Sequence, residues 1–129
     1  MSLSGPISIP GQDDNLTSSV SCTSASFCVA ANTGSYSAAV WNGTGWTQSG
    51  NFVSSANINL GLNAISCVGT FCTAIDDSNL YTSNGGLNWS GPVAFNTTAE
   101  NTALSCASNA FCVAGDFDGY AYVLDPQLR

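Results

Sequence analysis

Short stretches in which apolar and small polar residues alternate with period two run along the whole chain, and no stretch repeats its apolar residues at helical spacing. Val20-Ser21-Cys22, Ile65-Ser66-Cys67 and Leu104-Ser105-Cys106 each place an aliphatic residue and a cysteine on one face of a predicted strand and a serine on the other. Shortly after each comes Phe27-Cys28-Val29-Ala30, Phe71-Cys72-Thr73-Ala74 or Phe111-Cys112-Val113-Ala114. There Phe and Val or Thr share one face, and Cys and Ala share the other. Apolar or small residues on both faces predict strands covered on both sides. A tight loop separates the two strands of each unit, so each unit opens with a hairpin.

The unit recurs: Cys22, Cys67 and Cys106 stand 45 and then 39 residues apart. Four residues after the second cysteine of each pair stands Asn32, Asp76 or Asp116, followed by turn-forming residues. A third strand is predicted over Tyr36–Trp41, Leu80–Thr82 and Tyr120–Leu124. The turns Asn42-Gly43-Thr44-Gly45 and Asn84-Gly85-Gly86 then lead into a fourth strand that opens with Trp46 or Trp89.

Four short antiparallel strands per repeat predict an all-β fold of β-propeller blades in one repeat domain. The repeats run over about 18–50, 62–95 and 102–125. A β-trefoil, which also has three four-stranded repeats, is the alternative. Pro6-Ile7-Ser8-Ile9 matches Pro92-Val93-Ala94-Phe95, so residues 4–12 are expected to supply a fourth strand to a blade, whereas the third repeat has none after Leu124. Closed propellers typically have four to eight blades. The chain is therefore expected to pair with itself, as a homodimer completing a six-bladed ring.

Thr82-Ser83-Asn84-Gly85-Gly86-Leu87-Asn88-Trp89 resembles the Asp-box of sialidase-like (BNR) propeller repeats, with Asn84 where that motif usually has Asp. The repeated Ser-Cys and Phe-Cys unit, followed by a glycine-rich hairpin and Trp, is similar to cysteine-containing repeats of secreted bacterial propellers. These resemblances imply a propeller fold, a turn-stabilising role for the Asp-box and a bacterial source. Sialidases of this architecture bind the substrate carboxylate with an arginine cluster. The only cation here is Arg129 and the only glutamate is Glu100, so that activity is not expected.

Charge narrows the partners further. Only 7% of residues are charged, there is no lysine or histidine, and the net charge is −7. A chain with one cation cannot neutralise a phosphate backbone, which excludes nucleic acid and an anionic membrane surface. No apolar run reaches the roughly 20 residues of a membrane span. The stretch Met1–Pro6 carries no basic or apolar leader, so export would rest on a segment ahead of it.

The six cysteines fall into local pairs, and the favoured reading is three disulfides, Cys22–Cys28, Cys67–Cys72 and Cys106–Cys112, which indicate a secreted or cell-surface protein. Each such short loop contributes on the order of 2 kcal/mol in the chain-entropy model. The alternatives are reduced, buried cysteines and, without histidine or knuckle spacing, zinc.

Without histidine or lysine the commonest general bases and amine nucleophiles are missing, and no catalytic residue or cofactor is expected. The carboxylates read as turn residues, with Asp116 and Asp118 as calcium candidates that lack the full spacing of a calcium loop. Tyr36, Trp41, Asn42, Trp46, Tyr81, Asn84 and Trp89 flank the hairpins, where aromatic faces beside amides suit a glycan; the competing reading places the tryptophans in the core between blades. The chain is accordingly expected to be a non-catalytic secreted or cell-surface binding and interaction module. A carbohydrate-binding lectin is one alternative, and a fragment of a propeller glycosidase with its active-site residues elsewhere is another.

Overall fold

The computed structural model describes residues 6–9, 17–32, 37–50, 62–96 and 99–127. Strands β1 (Thr17–Ser24), β2 (Phe27–Asn32), β3 (Ala38–Trp41) and β4 (Trp46–Gln48) form one antiparallel sheet in chain order. Strands β5 (Ala64–Val68), β6 (Phe71–Ile75), β7 (Asn79–Asn84) and β8 (Ser90–Ala94) form a second of the same topology. Strands β9 (Asn101–Ser108), β10 (Phe111–Asp116) and β11 (Ala121–Leu124) form a third, three-stranded among the described residues. Among the described residues no sheet takes strands from two repeats, the arrangement of successive blades rather than of a trefoil's shared barrel. Residues 6–9 carry no strand, and the rest of the expected strand over 4–12 lies outside the described residues. Among the described residues no helix is long and apolar enough to cross a membrane.

All three cysteine pairs are disulfides and no cysteine is free, which sets aside the reduced and zinc readings. Each bridge joins residues directly opposite one another on the first two strands of its sheet. Their Cα atoms are 4.0 Å apart, the short separation of a non-hydrogen-bonded antiparallel pair. At such a position the backbone N–H points away from the partner strand. In β5 and β9, which form one edge of their sheets, it points out of the sheet altogether.

The neighbouring blade satisfies that donor. The Cys67 N–H donates to Ser21 Oγ at 3.0 Å and the Cys106 N–H to Ser66 Oγ at 3.0 Å. The Ile65 N–H donates in the same way to Ser19 Oγ at 3.1 Å, and Thr23 Oγ1 donates across to the Gly69 carbonyl at 2.9 Å. Ser21 and Ser66, the serines before Cys22 and Cys67, are thus the hydroxyls that stitch one blade to the next.

Side-chain packing follows the same direction. Phe27, Val29, Ala31, Ala38 and Val40 of the first blade meet Ile65, Cys67, Cys72, Ala74 and Tyr81 of the second in one core. Ala64, Ile75, Leu80, Val93 and Phe95 of the second meet Leu104, Ala114 and Leu124 of the third in another. The trailing face of each blade, carrying the Phe and Val positions, covers the leading face of the next, carrying Cys and Ala. The sequence pattern of two apolar faces per strand is therefore the pattern of two blade contacts.

The turn after β7 shows why one glycine is required. Gly86 has φ +84°, and a Cβ there would lie 2.8 Å from Val40 Cγ2 and 3.0 Å from Val29 Cγ2 of the first blade. Its N–H donates to Ser83 Oγ and its carbonyl accepts from Trp89 Nε1, each bond closing the turn over three residues. Gly85 has φ +95° and nothing within reach of a Cβ.

Both Gly85→Ala and Gly86→Ala are expected to lose roughly 1–3 kcal/mol to the left-handed backbone. Only Gly86→Ala should lose a further ~1–3 kcal/mol to the valine clash. Equilibrium denaturant unfolding separates the two, and equal losses would disprove the blade contact. Ser66→Ala should cost about 1–3 kcal/mol in the same measurement, because it leaves the Cys106 N–H without its acceptor.

Candidate functional site

Trp41 ends β3 and Trp46 begins β4, and the two stand directly opposite each other across the hairpin. Their ring centroids are 5.6 Å apart with planes tilted by 53°. The turn between them is fixed by Asn42, whose Oδ1 accepts from the Thr44 N–H at 2.9 Å, Thr44 Oγ1 at 2.9 Å and the Gly45 N–H at 3.0 Å. Trp41 Nε1 donates to the Ala25 carbonyl at 3.1 Å, tying this hairpin to the β1–β2 turn. Both rings are half-buried. With Cys28, Ile7 and Ile9 they line an open cleft of about 290 Å³. Cys28 and Trp41 are cross-strand neighbours on the leading face of the first blade. The cleft therefore sits on the kind of face that carries a blade contact elsewhere in the chain.

The other expected ligand residues lie apart from it. Tyr81 is buried in the core between the first and second blades, with its hydroxyl donating to Asp76 Oδ2 at 2.8 Å, so it presents no face to a ligand. Trp89 packs against the same core. Asn84 is exposed on the second blade's β7–β8 turn and accepts from Thr70 Oγ1 at 2.8 Å. Tyr36 lies outside the described residues. Trp41, Asn42 and Trp46 alone are brought together. Ile7, Ile9 and Cys28 were missed as site residues; the match of Pro6–Ile9 to Pro92–Phe95 was the available signal, and it indicates a strand, not which blade those residues cover.

The carboxylates Asp76, just after β6, and Asp116, at the end of β10, are engaged within the turns that follow. Asp76 Oδ1 accepts from the Ser78 and Asn79 N–H groups at 3.0 and 2.7 Å, and its Oδ2 accepts from Asn79 Nδ2 and the Tyr81 hydroxyl. Asp116 repeats this in the third blade: Oδ1 accepts from the Asp118 and Tyr120 N–H groups at 3.0 Å each, and Oδ2 from Asn96 Nδ2 at 3.2 Å and the Tyr122 hydroxyl at 3.4 Å. A ring of N–H and O–H donors suits a carboxylate and repels a cation, and the side chain of Asp118 is exposed. Of the calcium candidates, Asp116 is thus engaged by donors of its own turn and of its neighbours, and Asp118 stands apart from them at the surface. Among the described residues no three His, Cys, Asp or Glu groups are placed to hold a metal.

A buried amide chain links these turns between blades. Asn63 Nδ2 donates to Asp77 Oδ1 and to the Asn101 carbonyl, both at 2.8 Å. Asn101 Nδ2 donates to the Asp76 carbonyl at 3.0 Å, and Asn96 Nδ2 to Asn101 Oδ1 at 2.8 Å. Burial pushes the Asp116 carboxyl up, and the hydrogen bonds from Tyr120, Asn96, Asp118 and Tyr122 outweigh it, holding the carboxyl below its ordinary value.

No protein-family model and no curated protein matches the sequence. Among solved structures it is similar to that of YCF48 bound to D1 peptide, at 13% identity and a TM-score of 0.71, covering 93% of this chain and 40% of that one. YCF48 is a propeller, and the likeness establishes a propeller-like all-β fold here. This chain spans 40% of the length of that structure. The computationally designed Ika4 protein is also similar, at 13% identity and a TM-score of 0.47 over 95% of this chain and 99% of that one.

A carboxylate held below its ordinary value stabilises the fold while it is charged and loses that contribution as it protonates. Asp116 should therefore stabilise the fold fully at neutral pH and progressively less as the pH falls below its ordinary value of 3.8. Asp116→Asn is expected to melt at a lower temperature than the parent at pH 7, and the gap should narrow on acidification through that range. A gap that stays constant with pH would refute this role.

Proposed function

We propose that this chain is a non-catalytic, secreted or cell-surface interaction module built from propeller blades, and that it binds protein through the apolar cleft between Trp41, Trp46, Ile7 and Ile9. The observation that carries the reading is the cleft itself. Two opposed tryptophans beside two isoleucines and a disulfide offer apolar surface, with a fixed hairpin to hold its shape. Aromatic and aliphatic anchors in such pockets dominate protein–protein affinity.

The engagement of Asp76 and Asp116 within their own turns supports a scaffold role for the carboxylates over a catalytic one. The three disulfides support an oxidising, extracellular location. The closed turn from Ser83 to Trp89 supports kinship with Asp-box repeats, whose motif stabilises that turn. Asn42 Oδ1 is occupied three times within its own turn, which favours a protein ligand over a glycan at this hairpin. The lectin reading keeps one supporting feature, the two indole rings beside Asn42 and Thr44.

The test uses chains immobilised singly at low density and probed with a random peptide display library and a glycan array. Selected peptides should be rich in aromatic and aliphatic residues, and Trp46→Ala should weaken them on the order of tenfold or more. Glycan binding that depends on Trp46, with no peptide enriched, would replace this reading with the lectin one.

A further inference from the structure

We propose that the partner seated in the Trp41–Trp46 cleft is the third blade of a second copy of this chain, so that two copies close one ring of six blades. This rests on the reading of the cleft as an apolar protein-binding surface and names its occupant.

The blade contact formed twice within the chain leaves one half of itself uncovered at each end. On the leading face of the first blade Val20 is 58% exposed, whereas Ile65, its counterpart in the second, is 4% exposed. On the trailing face of the third blade Val123 is 71% exposed, whereas its counterparts Val40 and Thr82 are 9% and 5% exposed. Phe111 is exposed beside it, although its counterpart Phe27 packs against the core that holds Cys67 and Cys72, as Trp89 also does. The matching residues on the first blade are Cys22, Cys28 and Trp46. Phe111 of the second copy would therefore enter the cleft.

The hydrogen bonds extend in the same direction. Ser105, counterpart of Ser21 and Ser66, is exposed on the third blade. Cys22 is the counterpart of Cys67 and Cys106, whose N–H groups those two serines accept. Its own N–H lies on the outer edge of β1, where Ser105 Oγ of the second copy can accept it.

Residues 6–9 supply an independent sign. Their counterparts Val93 and Phe95 pack against the core between the second and third blades, as Leu124 does, and the Phe95 ring meets that of Tyr122 on the third blade's leading face. Leu124 stands opposite Cys112 as Trp41 stands opposite Cys28. Ile7 and Ile9 line the cleft beside Cys28 and Trp41, so they already occupy the place that the outermost strand of a preceding blade would take. The third sheet has three strands among the described residues. With the second copy docked, Pro6–Ile9 lie beside its β11. The register of β7 with β8, in which Leu80 faces Val93, would set Ala121 of the second copy opposite Ile7. A two-fold axis makes both joints identical and leaves neither face open, and six blades fall within the usual four to eight.

Sedimentation equilibrium at micromolar concentration should return about twice the chain mass of 13.2 kDa. Phe111→Asp and Val123→Asp should each raise the dimer dissociation constant on the order of 100-fold, with far-UV circular dichroism unchanged. Phe117→Asp, at an exposed turn residue outside both faces, should leave the mass as it was. A monomer, a mass above two copies, or a dimer indifferent to the substitutions at both Phe111 and Val123 overturns the proposal. A monomer whose peptide binding still depends on Trp46 overturns the ring and leaves the binding module standing. A dimer that Phe111→Asp dissociates, in a chain that selects no peptide, upholds the ring and confines the cleft to closing it.

Discussion

The arrangement of the blades depends on a backbone constraint at the edge strand of each sheet. Pairing two cysteines at a non-hydrogen-bonded position of an antiparallel hairpin turns the N–H of the first cysteine out of its own sheet. A half-buried donor left in that state costs roughly 1–3 kcal/mol. Ser21 and Ser66 remove that cost for Cys67 and Cys106, and they can do so only with the sheets close together and in one register. The disulfide and the serine beside it are therefore one device: the first holds the hairpin, and the second sets where the next hairpin lies.

At the opposite ends of the same strands, a second lock uses carboxylates and amides. Asp76 and Asp116 gather the N–H groups of the turns they begin, and the Tyr81 and Tyr122 hydroxyls reach them from the third strands. Asn63, Asn96 and Asn101 carry the bonding from one blade to the next. Buried polar groups that are all engaged in this way specify one packing, since any slip of a blade would leave several of them unpaired. Asp76 and Asp116 are thereby engaged in holding the turns and the blades together.

Two tryptophans at equivalent points of successive repeats illustrate how position in the array decides a residue's role. Trp89 follows the β7–β8 turn, donates to the Gly86 carbonyl and packs into the core between the first two blades. Trp46 follows the β3–β4 turn and lines an open cleft on the leading face of the first blade. The indole chemistry is the same in both, and only the neighbour differs.

Much of the fold was legible in the residues. The Cys-to-Cys spacing, the two apolar faces of each hairpin and the glycine-rich turns pointed to the eleven strands that the described residues form in three successive meanders, with the disulfides between opposed partners, and also to a strand over 4–12 that residues 6–9 do not form. These features are local: period-two alternation, turn chemistry and short loops depend on neighbours in sequence. The site was legible only in part. Trp41, Asn42 and Trp46 are joined by one hairpin and could be grouped from sequence, whereas Tyr81 and Trp89 look alike to them until the packing between blades buries Tyr81 and sets Trp89 against the core. The use of Ser21 and Ser66 was hidden because each bonds to a residue 46 or 40 positions away. What the sequence determined alone is the blade: its strands, its turns and its covalent staple. The tertiary structure decided which face of each blade is covered, because that depends on what stands beside it, and so it decided which aromatic residues pack in the core and which line the open cleft.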